Sequence, residues 1–168
     1  MMMEANIEQW KLKALRSLSS KQQTTKELTD RLTKRGCPEE FIDEIIDELT
    51  EMRALDDYKY AYQYTNEKID KGYSRWLIEA KLREKGVPTY LSNEAYDEYC
   101  HLHQLTQVEI ERNQAYMIIN SMAAGGGYLS RKDEARMLRR LRRYGHQIPR
   151  IVEAVHMYKD IKDISEIE

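Results

Sequence analysis

The chain has 168 residues, 33% of them charged, and a formal net charge of -2, with a mean hydropathy of -0.78. No run approaches the roughly 20 apolar residues of a membrane helix, and two cysteines are too few for a disulfide framework. The start, "MMMEANIEQW", has no apolar signal-peptide stretch, so a cytoplasmic protein with reduced thiols is expected.

Three prolines and seven glycines leave little to punctuate a sheet, and the predominance of Lys, Glu, Leu, Ile, Ala and Arg favours long helices. The first predicted helix runs over 6–19, with Leu12, Leu15 and Leu18 at helical spacing. A second opens at the capping box Thr24-x-x-Glu27 and carries Leu28 and Leu32 on one face. Gly36 stands where a helix end needs a left-handed residue, and Pro38 fits the first turn of the next helix. That third helix presents Phe41, Ile42, Ile45, Ile46 and Leu49 as one apolar stripe.

The same unit recurs twice. Around Leu82 and Gly86 the pattern uses Ile78, Pro88, Leu91, Ala95 and Tyr99, and Ser74 is the predicted cap. Around Leu141 and Gly145 it uses Met137, Ile148, Pro149, Ile151, Val152 and Val155, after a weaker Ser130-x-x-Asp133 box. Each pair follows a further helix, over 56–70 and over 106–122, the latter with Val108, Ile110, Ala115, Ile118, Ile119 and Met122. Period searching therefore predicts an all-α chain of three tandem three-helix repeats, at 1–52, 53–104 and 105–168, which stack because each is too small to bury its apolar faces alone.

"DDYKYAYQY" alternates Tyr58, Tyr60, Tyr62 and Tyr64 like a strand. Its position in the repeat makes it a helix, with Asp56 as cap and Asp57 complementing the helix dipole. On a helix the tyrosines separate into two stripes, Tyr60 and Tyr64 expected inward, Tyr58 and Tyr62 more exposed and suited to meeting a partner.

Catalytic constellations are absent. Cys100-His101-Leu102-His103 has metal-ligand residue types at the wrong spacing for a helical zinc pair. Gly125-Gly126-Gly127 reads as a flexible loop and lacks the flanks of a phosphate-binding loop. No cofactor or metal is expected; His146 and His156 read as packing or surface residues.

The charge is unevenly placed. Seven acids and no base fall between Pro38 and Met52. The segment from Arg131 to Arg143 is +5, which leaves -7 for the remainder. Lys132, Arg136, Arg139, Arg140 and Arg143 form one helical stripe with few acids to pair with, so they are candidates for a polyanion or an acidic surface. Lys68, Lys71 and Arg75 make a weaker basic set, diluted by nearby acids. Glu40, Asp43, Glu44, Asp47 and Glu51 lie opposite the apolar stripe of their helix, where they would repel nucleic acid but could meet a basic protein.

From Ala14 to Val87 the chain resembles the RecX family, regulators of the RecA recombinase. The resemblance is carried by Ala14-Leu15-x-x-Leu18, Glu27-Leu28-x-x-x-Leu32-x-x-x-Gly36, Leu55-Asp56-Asp57-x-x-Tyr60-Ala61-x-x-Tyr64, Lys71-Gly72-Tyr73 and Leu82-x-x-Lys85-Gly86, and more loosely by Leu141-x-x-Tyr144-Gly145. It implies an elongated, curved molecule that is not an enzyme. Such a molecule would lie along the RecA–DNA filament and inhibit its ATPase, strand exchange or extension in recombination and repair. Single-stranded DNA would be touched weakly or through the filament, no membrane is implied, and the chain is expected as a monomer. The family often has Gly before Leu-Asp-Asp, where this chain has Arg53-Ala54; Ser74 replaces a second Gly after Lys71-Gly72-Tyr73. A stand-alone helical DNA-binding protein and a helical protein–protein adaptor are the alternative readings.

Overall fold

A computed structural model describes the backbone at residues 2–122 and 131–165. The Gly125–Gly127 loop and the Ser130 cap lie outside the described residues. Every regular element among the described residues is a helix: α1 (Met2–Ser20), α2 (Thr25–Lys34), α3 (Glu39–Glu51), α4 (Asp57–Asp70), α5 (Arg75–Glu84), α6 (Thr89–His103), α7 (Gln107–Met122), α8 (Arg131–Arg143) and α9 (Ile148–Ser165).

Local chemistry accounts for most helix ends. Thr24 and Glu27 form the reciprocal capping box of α2. Asp56 Oδ1 accepts from the Lys59 N–H at 2.9 Å at the start of α4. After α2, Gly36 adopts φ +80; its N–H reaches Thr33 O, and the N–H of Cys37 reaches Leu32 O. The same two bonds close α4 at Gly72, α5 at Gly86 and α8 at Gly145. All four glycines have positive φ, as this helix end requires. Arg53 (φ 54) and Gln104 (φ 54) hold the left-handed position without the freedom of glycine.

The described residues form two compact units, one from residues up to Gln63 together with Lys81–Ala95, the other from Tyr64–Ala80 and from Tyr96 onward. The first is built on Ala14, Leu28, Leu32, Phe41, Ile42, Ile45, Leu49 and Leu55, flanked by Trp10, Leu15, Leu18 and Ile46. Here the cap of α2 meets the end of α5. Thr24 Oγ1 donates to Lys85 O at 2.6 Å, Lys26 Nζ donates to Glu84 O, and Lys85 Nζ pairs with Glu27 Oε1 at 2.5 Å. Burial alone would raise the Glu27 carboxyl, but Lys85 and the Thr24 N–H hold it below its ordinary range. Asp57 works on another helix than its own: its Oδ1 accepts from the Thr25 N–H at 2.8 Å, capping α2.

The second unit repeats that junction. Ser74, the cap of α5, takes Tyr144 O through its N–H at 2.9 Å. His146 Nε2 donates to Gly72 O at 2.8 Å, and buried Gln114 donates to Ile69 O at 2.9 Å. The core there is Ala115, Ile118, Ile119, Met137, Leu141, Ile151 and Ala154.

Several expected core positions are corrected. Ile148 and Val152 are exposed, and α9 buries Ile151 and Ala154 instead, because its inward face is turned about a quarter turn from the one that Ile148 and Val152 share. Val108 and Leu12 are also exposed, while Tyr96 is wholly buried. The tyrosines of α4 do not separate into a buried and an exposed pair; all four are half-buried. The centre of that helix's buried face is Ala61, Thr65 and Ile69, small enough that the tyrosines flank it on both sides.

Candidate nucleic-acid interface

The α8 helix has two faces of opposite character. Met137 and Leu141 are buried against α7 and α9 residues, which fixes the rotation of the helix. Lys132, Arg136, Arg139 and Arg143 are then exposed, and Arg140 is half-buried. Arg136, Arg139, Arg140 and Arg143 line a single open recess of about 440 Å³. No acid among the described residues pairs with any of the four. Guanidinium groups so placed present planar forks of N–H donors suited to phosphate oxygens.

Aromatic rings adjoin this face. Arg140 lies over the Tyr144 ring at 5.8 Å, and Tyr144 meets Tyr73 edge-on with ring centres 4.9 Å apart. Lys68 lies over Tyr73 at 5.7 Å and over Tyr64 at 4.8 Å. Tyr144, just past the end of α8, is half-buried. Its link to Tyr73 comes from the Ser74–Tyr144 junction and left no signal in the sequence.

The second basic set has acids beside it. Glu67 pairs with Lys68 at 3.1 Å and Lys71 at 2.5 Å; these partners hold the Glu67 carboxyl below, and the Lys71 ammonium above, their ordinary ranges. Arg75 is committed further: Nε bonds Glu79 at 2.6 Å, Nη1 bonds Asp97 at 2.9 Å, and the guanidinium covers the Tyr96 ring at 4.8 Å. Burial works against its charge, and Glu79 and Asp97 outweigh that. Burial also raises the Tyr96 phenol. Tyr58 and Tyr62 are half-buried on α4.

A second recess, of about 340 Å³, lies beside α2, where Arg31, Lys34 and Arg35 share the wall with Glu27 and Asp30. Its mixed charge makes it a weaker anion site than the α8 face. On α3, Glu48 pairs with Lys11, while Glu40, Asp43, Glu44, Asp47 and Glu51 are all exposed.

Among the described residues, no group of three or more His, Cys, Asp or Glu side chains could hold a metal ion, and no helix is long and apolar enough to cross a membrane. In the Cys100–His103 segment the His103 ring packs on Tyr99 at 4.1 Å, and burial pushes the Cys100 thiol up, away from the thiolate a metal needs. His146 is a packing residue, its Nε2 proton held by Gly72 O; burial lowers its pKa, against the Gly72 bond and the Glu111 charge.

Family models described as RecX, first three-helix domain, and RecX, second three-helix domain, match residues 11–49 and 56–95. A protein named Regulatory protein RecX from Lacticaseibacillus paracasei is 35% identical over 79 residues, 46% of this chain and 33% of that protein. Its namesake from Mycolicibacterium smegmatis is 36% identical over 81 residues, 48% and 43% of the two chains. The one from Finegoldia magna is 31% identical over 109 residues, 64% and 50%. The match spans half or less of these relatives' own length. The crystal structure of RecX from Lactobacillus salivarius superimposes with a TM-score of 0.74 at 20% identity, covering 93% of this chain and 98% of that one. The crystal structure of a regulatory protein RecX gives 0.70 at 21% identity, covering 92% and 72%. At such identities the likeness is one of fold.

Proposed function

Because the chain belongs to the RecX family, we propose that it is a regulatory protein without catalytic activity, acting mainly negatively on the RecA recombinase–DNA filament. It binds that filament and restrains its ATPase, strand exchange or extension in recombination and repair. Single copies act in the cytoplasm, through three helical modules bounded near residues 52 and 104. DNA is met weakly, or only within the filament.

The observation that carries this reading is the α8 face, with four arginines lining one recess and no acidic partner among the described residues. Like charges held on one face repel one another, and a polyanion or acidic surface relieves that repulsion. Lys132, Arg136, Arg139, Arg140 and Arg143 are the proposed contact residues. Lys68, Lys71 and Arg75 already have acids beside them, so their share is smaller. Tyr58 and Tyr62 offer half-buried aromatic surface for a protein partner.

The test is titration into a RecA–single-stranded-DNA ATPase assay. Inhibition that saturates is the expected result; no inhibition at saturating protein refutes the reading. Inhibition that disappears when Arg136, Arg139, Arg140 and Arg143 become Ala assigns it to α8. DNA binding with no effect on the ATPase would favour a stand-alone DNA-binding protein.

A further inference from the structure

Two exposed charged faces of this chain have matching spacing. On α3 (Glu39–Glu51) the exposed acids are Glu40, Asp43, Glu44, Asp47 and Glu51. Counted forward from Glu40 they fall at offsets of 0, 3, 4, 7 and 11 residues. On α8 (Arg131–Arg143) the stripe is Lys132, Arg136, Arg139, Arg140 and Arg143. Counted backward from Arg143, these bases fall at the same offsets of 0, 3, 4, 7 and 11. Both helices are 13 residues long. At about 100° and 1.5 Å per residue, each set is a stripe roughly 100° wide and about 16 Å long. Two such helices laid antiparallel bring Glu40 to Arg143, Asp43 to Arg139, Glu44 to Arg140, Asp47 to Arg136 and Glu51 to Lys132.

We propose that the acidic face of α3 in one copy of this chain docks antiparallel on the basic face of α8 in a second copy, and that this self-association occludes the arginine face until a polyanion displaces it. The occlusion rests on the nucleic-acid reading of α8; the pairing itself does not. The occupant follows from charge complementarity. Opposite signs at the same spacing give five pairs in one register, whereas sliding either helix by one residue leaves three at most. Apart from half-buried Arg140, both faces are exposed in the folded chain, so each is available to a second molecule. Exposed ion pairs are individually weak and screened by salt, so the association is weak and salt-sensitive. It therefore yields to DNA, whose phosphates offer a denser line of charge. Because each copy carries both faces, two copies can exchange both contacts or extend head to tail.

Sedimentation velocity on the full chain tests the pairing without DNA or recombinase. At about 20 mM salt the weight-average sedimentation coefficient should rise with protein concentration, and at about 0.5 M salt it should stay at the monomer value. Two charge-swapped variants sharpen the test. One carries Asp43→Lys, Glu44→Lys and Asp47→Lys; the other carries Arg136→Glu, Arg139→Glu and Arg140→Glu. Each alone should stay monomeric, and an equimolar mixture should associate. The pairing is overturned by a wild-type chain that stays monomeric at low salt. It is equally overturned by a swapped variant that associates by itself, or by a mixture that does not. If a swapped variant fails to fold, Asp43→Asn, Glu44→Gln and Asp47→Asn should still weaken association about tenfold, and unchanged association overturns the pairing.

An oligothymidylate added to the associated wild type should return it to monomers carrying the oligonucleotide. Association that persists with no oligonucleotide bound overturns the occlusion and the nucleic-acid reading, while leaving the pairing intact. Association that persists with the oligonucleotide bound overturns the occlusion alone.

Discussion

Gly36 and Gly86 occupy the same place in two copies of one helix end, yet alanine should affect them differently. Both have positive φ, +80 and +83, so both substitutions carry the cost of a left-handed alanine, about 1 kcal/mol. A Cβ at Gly36 meets nothing within 4 Å. A Cβ at Gly86 would lie 2.4 Å from Lys26 Cβ, 2.6 Å from Cδ and 3.0 Å from Cγ. The outer carbons can swing away, but Lys26 Cβ is fixed to α2, so the end of α5 must retreat. That movement adds an overpacking cost of roughly 1–3 kcal/mol and loosens the 2.6 Å bond from Thr24 Oγ1 to Lys85 O. Gly36→Ala should therefore lose about 1 kcal/mol, and Gly86→Ala about 2–4 kcal/mol. Both residues lie in the same compact unit, so urea midpoints followed by far-ultraviolet circular dichroism compare them directly. Lys26→Gly should restore the steric part in the double variant, as a double-mutant cycle would show. Equal losses at Gly36 and Gly86 would refute the reasoning.

Other expectations follow from the same structure. Arg53, at φ 54, stands in a left-handed turn, so Arg53→Gly should stabilise the chain by about 0.5–1 kcal/mol, read as a rise of a few degrees in Tm. Burial holds the His146 pKa below its ordinary 6.5, against the raising effects of Gly72 O and Glu111. The unfolded ring takes its proton first as pH falls, so this contribution is complete above 6.5 and is lost as pH drops toward the folded value. His146→Gln should flatten the stability–pH curve in that window. Binding of single-stranded DNA through about five phosphates should fall with salt at a log–log slope near -3.5, and alanine at Arg136, Arg139, Arg140 and Arg143 should remove about 2.8 of it. An unchanged slope would make the stripe ordinary solvated surface.

The helices and their ends were legible because their causes are local. A capping box, a glycine with positive φ and an apolar pair four residues apart all act within one or two turns, so Thr24-x-x-Glu27 and Leu32-x-x-x-Gly36 predict their own structure. The α8 stripe was legible for the same reason, since one helix carries all five bases and Met137 and Leu141 set its rotation. What depended on distant residues was not legible. Asp57 stands in the first turn of α4 as its sequence implies, but its bond to the Thr25 N–H of α2 could not be read there. Arg75 reads as one of a basic set diluted by acids near it along the chain, but Asp97 and Tyr96 come to it from α6. The sequence set Tyr60 and Tyr64 inward and Tyr58 and Tyr62 outward, but packing on Ala61, Thr65 and Ile69 left all four half-buried. By itself the sequence determined where most helices start and stop and how α2, α3 and α8 turn their apolar faces, because those choices are made by neighbours along the chain. Only the tertiary structure decided which of the like glycines is crowded, which cation is neutralised and which tyrosine is core, because those depend on residues up to 74 positions apart, as in the His146–Gly72 bond.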